Sequence, residues 1–510
     1  GRIVTNSTAE VMLRTCQVKG FIEMPRQKFD RKEVALQWRR TKIITTLGPA
    51  SSSTAMIEKL IGSGVDVVRV NMSHGDHETH RKTVQRVRRA AKRAGRHIGI
   101  LMDLCGPKIR VGRFEGGRIE LRSGESVTVT TRPLSGSDGL IPSQYRSLHK
   151  DVRAGERILL DDGKLELRVQ SVNGTEVTCG VIEGGELSSH KGMNLPNSHL
   201  STPAMTAKDR KDVHLAVELQ VDFLALSFVR SAKDVQQLTR YMKRLGANIP
   251  VISKIERPEA VEAIDAIMAM SYGIMIARGD LGIELPAEKV PLIQRDLIHK
   301  ARQKGVPVIV ATQMLESMMT HSRPTRAEVT DVAGAALLSA DAAMLSGETA
   351  AGKYPLQALQ TMDRVLREVE RHQWQEGRFA VDPIADRGSK AHFVRESMAH
   401  AAVQLTHDLE LEAIIVPTHT GNTARIMASH RPLALAVGAC SDDRVCRQMT
   451  LHWGIVPVKI GHAEARNWRR ICVHIAEQSH LGKVGHDVLL VSGFSDDPGK
   501  DEPVMKLLHL

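Results

Sequence analysis

A closed (β/α)8 barrel of the α/β class is predicted by three features of the sequence. Eight short apolar runs recur along it, helical spacing separates most of them, and each run ends in polar residues. The runs are Lys42–Thr46, Val67–Asn71, His97–Asp103, Phe223–Ser227, Val251–Lys254, Gly273–Ala277, Val308–Ala311 and Ala342–Leu345. Strands alternating with helices imply parallel pairing, and eight such units are the number that closes a TIM barrel.

Taken in order, residues 1–38 read as a short amphipathic preface of low information, and the barrel occupies 39–106 and 204–380. The long gap between Asp103 and Phe223 breaks the rhythm. Within it, segments such as Arg118–Leu121, Ser126–Thr130, Arg157–Leu160, Leu165–Val169 and Glu176–Val181 are punctuated by Gly116-Gly117, Asp162-Gly163 and Asn173-Gly174. Such turns predict a small antiparallel sheet or β-barrel, inserted at 107–203 as a lid over the strand ends. From 385 to 510 four further buried runs, Leu411–Val416, Leu433–Val437, Val456–Ile460 and Asp487–Val491, predict a separate α/β domain. Between the first of these and its helix lie Thr418, His419, Thr420, Gly421, Asn422 and Thr423, which read either as a phosphate cradle or as an ordinary capped turn.

Composition narrows the classes. The 510 residues carry 42% hydrophobic and 25% charged residues, as a globular protein does. No apolar run approaches the roughly 20 residues of a bilayer helix, and the N-terminal residues do not read as a secretory leader. Six scattered cysteines, without metal-finger or disulfide spacing, favour a reducing, cytoplasmic setting; Cys440 and Cys446 read as two ordinary buried thiols. A net charge of +12 and the run Arg81, Lys82, Arg86, Arg88, Arg89, Lys92, Arg93 and Arg96 raise the question of nucleic acid, but only 3% of residues are aromatic. The run reads as a solvated helix face, and neither nucleic acid nor membrane is expected as a partner.

The chemistry sits at the carboxyl ends of the strands, where such barrels hold their sites. In order these ends carry Arg69, Asn71, Ser73 and His74, then Asp103, Ser227, Lys254 with Glu256, Gly279 with Asp280, Thr312 with Gln313, and Ser346. Glu256 and Asp280 are sparse, hard oxygen ligands of the kind that suit magnesium, with manganese as an alternative. Cations for phosphate or carboxylate, carboxylates for a divalent ion and a lysine for developing negative charge make up the inventory of phosphoryl transfer. Gly347–Lys353 (GETAAGK) has Walker A spacing, but Tyr354 follows where a hydroxyl residue would hold magnesium, so it reads as coincidence.

These residues resemble the pyruvate kinase family from Thr41 onward. The resemblance is carried by Thr41–Ser51 (TKIITTLGPAS), Arg69–Gly75 (RVNMSHG), Ile252–Glu256 (ISKIE), Ala277–Glu284 (ARGDLGIE), Ala311–Ser317 (ATQMLES), Arg323–Glu328 (RPTRAE) and Met344–Ala350 (MLSGETA). It implies transfer of the phosphoryl group of phosphoenolpyruvate to ADP, giving ATP and pyruvate, the last step of glycolysis. By the same resemblance Glu256 and Asp280 are the magnesium ligands, and Lys254, joined by Arg69, stabilises the transferring group. Gly279, Asp280 and Thr312 match the substrate-carboxylate site. Asn71, His74, Arg110 and Lys191 match nucleotide-phosphate positions, and Thr312 and Ser346 match a proton relay to the enolate.

One departure stands out. Many members bind potassium at positions matching Asn71, Ser73, Asp103 and the next residue, here Leu104, and carry glutamate where this chain has Lys108. A fixed ammonium can replace the ion's charge, so catalysis independent of potassium is expected. The resemblance further implies a C-terminal regulatory domain with a phosphorylated effector at 418–423, and a homotetramer. Two rival readings account for less. A magnesium-dependent lyase on a phosphoenolpyruvate or pyruvate barrel has no use for Lys191 or Arg110, and an RNA-binding protein has none for eight polar strand ends.

Overall fold

Runs buried on both faces can pair only in a covered parallel sheet, and the eight predicted runs do so. In the computed structural model they are β1 (Lys42–Leu47), β2 (Val67–Asn71), β3 (Gly99–Asp103), β4 (Phe223–Leu226), β5 (Val251–Ile255), β6 (Gly273–Ala277), β7 (Val308–Ala311) and β8 (Ala342–Leu345). Neighbours pair in parallel and β8 closes on β1, with Lys42 opposite Ala342. The structure describes residues 38–376, 390–461 and 487–509, apart from 197, 199, 412 and 495–500, together with 470–473 and 475. The predicted N-terminal segment, up to residue 37, and the stretch 377–389 lie outside the described residues.

Alternation along each strand divides the barrel's apolar side chains into two layers. One layer, including Ile43, Val68, Ile100, Leu224, Ile274 and Val310, packs under the helices. The other, with Ile44, Val67, Leu101, Phe223, Ile252, Met275, Ile309 and Met344, fills the barrel. Leu451, from the C-terminal domain, belongs to this inner cluster. Other residues of that domain also meet the barrel: Tyr272 Oη lies 2.8 Å from His452 Nε2, and Arg431 pairs with Asp341 at 3.1 Å. Lys42 Nζ donates to the Ile455 carbonyl at 2.7 Å.

The insert is rich in strands, as expected, and wraps one core running from Ile109 to Leu195. Its hydrogen bonding is that of a partly open barrel: a six-stranded sheet faces a two-stranded ribbon of Arg118–Leu121 with Gly185–Ser188. Ser126–Thr130 pairs in parallel with Leu140–Pro142, where the turn signals predicted antiparallel neighbours. Asp161 and Asp162 both adopt positive φ, the conformation expected of the Asp-Gly turn they introduce.

The C-terminal domain contains the four predicted strands, β9 (Ala413–Pro417), β10 (Leu435–Cys440), β11 (Ile455–Lys459) and β12 (Asp487–Ser492). A fifth, β13 (Val504–His509), runs antiparallel to β12 at the edge and was not predicted, because its residues are largely exposed and lack a buried apolar run. Cys105, Cys179, Cys440, Cys446 and Cys472 are free thiols. The basic run largely belongs to the helix His77–Arg93, where Arg81, Arg88 and Arg93 pair with Glu218, Asp222 and Glu58, so part of its charge is used within the fold. Among the described residues no helix is long and apolar enough to cross a membrane.

Candidate active site

Strand alternation aims Lys254 into the barrel mouth from β5, and its ammonium is held on three sides. It lies 2.8 Å from Glu256 Oε1 and 3.6 Å from Asp103 Oδ1, and donates to Ser227 Oγ at 2.8 Å. Asp103, at the end of β3, is 1% exposed and is gripped from the other side by Arg69 Nε at 2.7 Å and Nη2 at 2.6 Å. Burial pushes the Asp103 carboxyl up, but the charges of Lys254 and Arg69 outweigh it and hold the group below the usual carboxylate range. Burial likewise opposes the Lys254 charge, and Asp103 and Glu256 overcome it, raising the lysine above its ordinary value. The result is a permanently charged ammonium on a rigid support.

Glu256 accepts from the Phe228 amide at 2.7 Å through Oε2. Its Oε1 is buried and, despite the nearby ammonium, has no aligned hydrogen bond. Burial raises the Glu256 carboxyl, Lys254 pulls it back, and the charge of Asp280 raises it further. Two carboxylates that repel one another, one of them buried with a single ammonium against its Oε1, fit a hard divalent cation of the magnesium type, which needs only one or two protein ligands. Among the described residues no group of three or more His, Cys, Asp or Glu is arranged to hold a metal.

Asp280 and Gly279 lie in the first turn of the helix Arg278–Glu284, which follows β6. The Gly279 amide donates to Thr312 Oγ1 at 2.8 Å. Thr312 has φ +67° and Gln313 φ +54°, a costly conformation for a β-branched residue. Arg278 fixes this turn: its Nη2 donates to the Thr312 carbonyl at 2.6 Å, and its Nη1 pairs with Asp331 at 2.5 Å. Ser346, after β8, donates its amide to Glu348 Oε2 at 2.7 Å, and its hydroxyl is buried without a partner. In the Walker-like stretch, Glu348 also accepts from the Leu315 amide at 3.0 Å, and the hydroxyl of Thr349 bonds the Thr46 carbonyl at 2.9 Å. Those side chains serve the fold.

After β2, Asn71 Oδ1 accepts from the Ser73 amide at 3.1 Å, forming a tight turn that leaves Ser73 and His74 exposed. Leu104 is buried, and its carbonyl accepts from Ser227 Oγ at 2.7 Å. Lys108 is exposed and forms no ion pair among the described residues; a Cβ on Gly192 would lie 3.7 Å from its Cε, at the root of the insert. Arg110 bridges to Gly192 across the insert's two connections and donates to the His190 carbonyl at 2.9 Å. Lys191 pairs with Asp161 at 2.7 Å, which holds that carboxyl below its usual range. Arg110 and Lys191 therefore share one edge of the insert, while Lys254, Glu256, Asp103 and Arg69 form one contacting cluster in the barrel.

In the C-terminal loop, Thr418 Oγ1 accepts from the Gly421 amide at 3.0 Å and Thr423 Oγ1 donates to the Phe494 carbonyl at 3.4 Å. Their hydroxyls are occupied internally. His419 and Thr420 are exposed, Gly421 has φ +84° at the start of the helix Asn422–Ser429, and Asn422 Nδ2 is buried without a partner.

Two contributions were not singled out from sequence. Arg278 appeared only as a neighbour of Asp280, since nothing in one sequence marks a side chain that braces the next strand's loop. Lys208 and Asp209 were not singled out either, although a Thr206/Asp209 capping box opens that helix.

Comparison with known proteins gives a consistent result. Residues 38–359 match the family model described as pyruvate kinase, barrel domain, and residues 396–503 match pyruvate kinase, alpha/beta domain. The chain is 44% identical to a pyruvate kinase of Mycobacterium tuberculosis over 82% of its own length and 86% of the relative's. It is 40% identical to one from Geobacillus stearothermophilus, over 89% and 78%. A solved pyruvate kinase structure from Cryptosporidium parvum superimposes with a TM-score of 0.83 at 35% identity, covering 93% of this chain and 97% of that one.

Proposed function

Since the chain belongs to the pyruvate kinase family, we propose that it transfers the phosphoryl group of phosphoenolpyruvate to ADP, releasing ATP and pyruvate in glycolysis. The observation that carries the reading is the Lys254 ammonium suspended between Asp103 and Glu256, beside Asp280. Glu256 and Asp280 would hold a divalent ion, magnesium or manganese in its place, which when bound compensates negative charge on substrate oxygens.

The remaining work falls to the chain's own groups. Lys254, unable to lose its proton near neutral pH, offers charge to the phosphoryl group in flight and is unsuited to donate a proton. Arg69 adds a second cation, fixed by Asp103. Gly279, Asp280 and Thr312 orient the substrate carboxylate from one turn. Asn71 and His74, with Arg110 and Lys191 from the lid, take the nucleotide phosphates. The free hydroxyl of Ser346, with Thr312, passes a proton to the enolate.

Catalysis is independent of potassium: among the positions equivalent to a potassium site, Asn71, Ser73, Asp103 and Leu104, the last offers only an apolar side chain, and Lys108 supplies the charge. A phosphorylated effector acts at residues 418–423, supported by the exposed His419 and Thr420 and the unpartnered Asn422 amide. The enzyme is a cytoplasmic homotetramer.

The test is pyruvate formation from phosphoenolpyruvate and ADP, with and without magnesium, and with potassium replaced by a large organic cation. Turnover that needs magnesium and survives the replacement is expected. Collapse without potassium would remove the role of Lys108, and no turnover in any condition would remove the kinase reading.

A further inference from the structure

The insert rejoins the barrel through the helix Ala207–Glu218, and the first turns of that helix hold two loops of the candidate site. Asp209 is fully buried. Its Oδ2 accepts from the Thr206 amide at 2.8 Å and the Thr206 hydroxyl at 2.6 Å, while its Oδ1 accepts from the Gly106 amide at 3.1 Å. Gly106 has φ +67° and ends the loop that leads from Asp103 into the insert. The outgoing and returning connections of the lid thus meet on one carboxylate.

One residue earlier, Lys208 does the same for the turn after β2. Its Nζ donates to the Met72 carbonyl at 2.6 Å and to Asp212 Oδ2 at 2.6 Å. Asp212 is fully buried, and its other oxygen lies 2.7 Å from His77 Nε2. Met72 stands between Asn71 and Ser73; its side chain is buried and its amide donates to the Asp103 carbonyl at 3.0 Å. With its amide, its side chain and now its carbonyl all fixed, the peptides on both sides of Met72 are held, and Asn71, Ser73 and His74 are set around them. A buried carboxylate is a poor device for stability alone, since an apolar contact of the same size does as well. A charged hydrogen bond with defined direction is a good device for orienting a peptide.

We infer that Lys208, oriented by Asp212, is a positioning residue for the nucleotide, locking the Asn71–His74 turn so that its polar groups meet the phosphates of ADP. The inference rests on the reading of Asn71 and His74 as nucleotide contacts. It makes the helix at the lid's return part of the ADP site without touching ADP.

The test compares wild type with Lys208→Met, Lys208→Arg and Glu218→Gln, the last breaking only the Arg81 contact at the far end of the same helix. Dissociation constants for ADP are read by calorimetry, alongside the KM for each substrate and the melting temperature. Loss of one charged hydrogen bond should weaken ADP binding by about ten-fold or more in Lys208→Met. The KM for phosphoenolpyruvate should move less than about two-fold, Lys208→Arg should regain most of the loss, and Glu218→Gln should match wild type. Unchanged ADP binding in Lys208→Met, an equal loss for both substrates, or a loss matched by Glu218→Gln would overturn the inference. Wild type that binds ADP without turnover would remove the kinase reading alone, because the binding comparison still decides the role of Lys208.

Discussion

Arg278 reaches from the end of β6 across to the loop after β7 and donates to the carbonyl of Thr312, a residue whose φ of +67° few threonines adopt. The same guanidinium approaches the carbonyls of Ala311 and Gln313 at 3.4 and 3.3 Å. The left-handed turn is therefore held by a cation, and it places the Thr312 hydroxyl against the Gly279 amide. Replacing Arg278 with lysine removes the planar fork and leaves buried carbonyls unmatched. A destabilisation of about 2–3 kcal/mol is expected. The KM for phosphoenolpyruvate should rise while that for ADP stays put, which steady-state kinetics and thermal unfolding will check.

The Lys254→Met variant removes the charge proposed to face the phosphoryl group and leaves Arg69 as the cation on Asp103. Loss of a preorganised charge of this kind lowers kcat by about 10²–10³. A single-turnover measurement of pyruvate release decides it, and a variant retaining a tenth of the wild-type rate would refute the role.

If Glu256 and Asp280 hold a divalent cation, that cation stabilises the folded chain by mass action. Magnesium at about 100 times its dissociation constant should contribute about 2.7 kcal/mol. The melting temperature of wild type should rise on adding magnesium, and those of Glu256→Gln and Asp280→Asn should not. This readout needs no turnover.

His452 makes stability depend on pH. It is fully enclosed between the domains, and burial, reinforced by the charges of Arg425, Lys42 and Arg431, lowers its pKa to about 3. An unfolded histidine titrates near 6.5, so between about pH 6.5 and 3 the unfolded chain binds a proton that the folded chain refuses. Stability falls as the pH drops through that window, by up to roughly 5 kcal/mol if the group titrates fully. Tyr272 Oη lies 2.8 Å from the ring's Nε2, and an amide can serve as donor or acceptor there, so His452→Gln should keep a partner for Tyr272 and flatten the loss of melting temperature between pH 6.5 and 4.5.

The parts of this molecule that were readable from sequence are those governed by alternation and by strand ends. Lys254 and Glu256 are two apart on one strand, so period-2 geometry alone sends them to one side, and they meet at 2.8 Å. Arg69, inside β2, and Asp103, at the end of β3, lie on adjacent strands and pair at 2.6 Å. What was not readable depends on side chains that cross between elements. Lys208 and Met72 are 136 positions apart, and Arg278 and Asp331 are 53 apart, so no local pattern announces them. The edge strand β13, Val-Met-Lys-Leu-Leu-His, lacks the clean alternation of a half-buried strand, and Val504 and Leu507 stay exposed. The loop of Thr418 and Thr423 read either as a phosphate cradle or as a capped turn; both hydroxyls bond the chain, a choice that a hydroxyl between two environments does not reveal in advance.

Leu451 fills the floor of the barrel from the C-terminal domain, and this bears on how the chain is made. The last barrel strand ends at Leu345, so about a hundred residues separate it from the leucine that completes the core beneath it. During synthesis at about 5–20 residues per second, the ribosome releases every strand seconds before the floor arrives. For that interval the hollow beside Leu101, Phe223 and Tyr272 is open to water, a sticky nascent surface that asks for chaperone cover. A message cut short after residue 345 would leave that surface exposed for good.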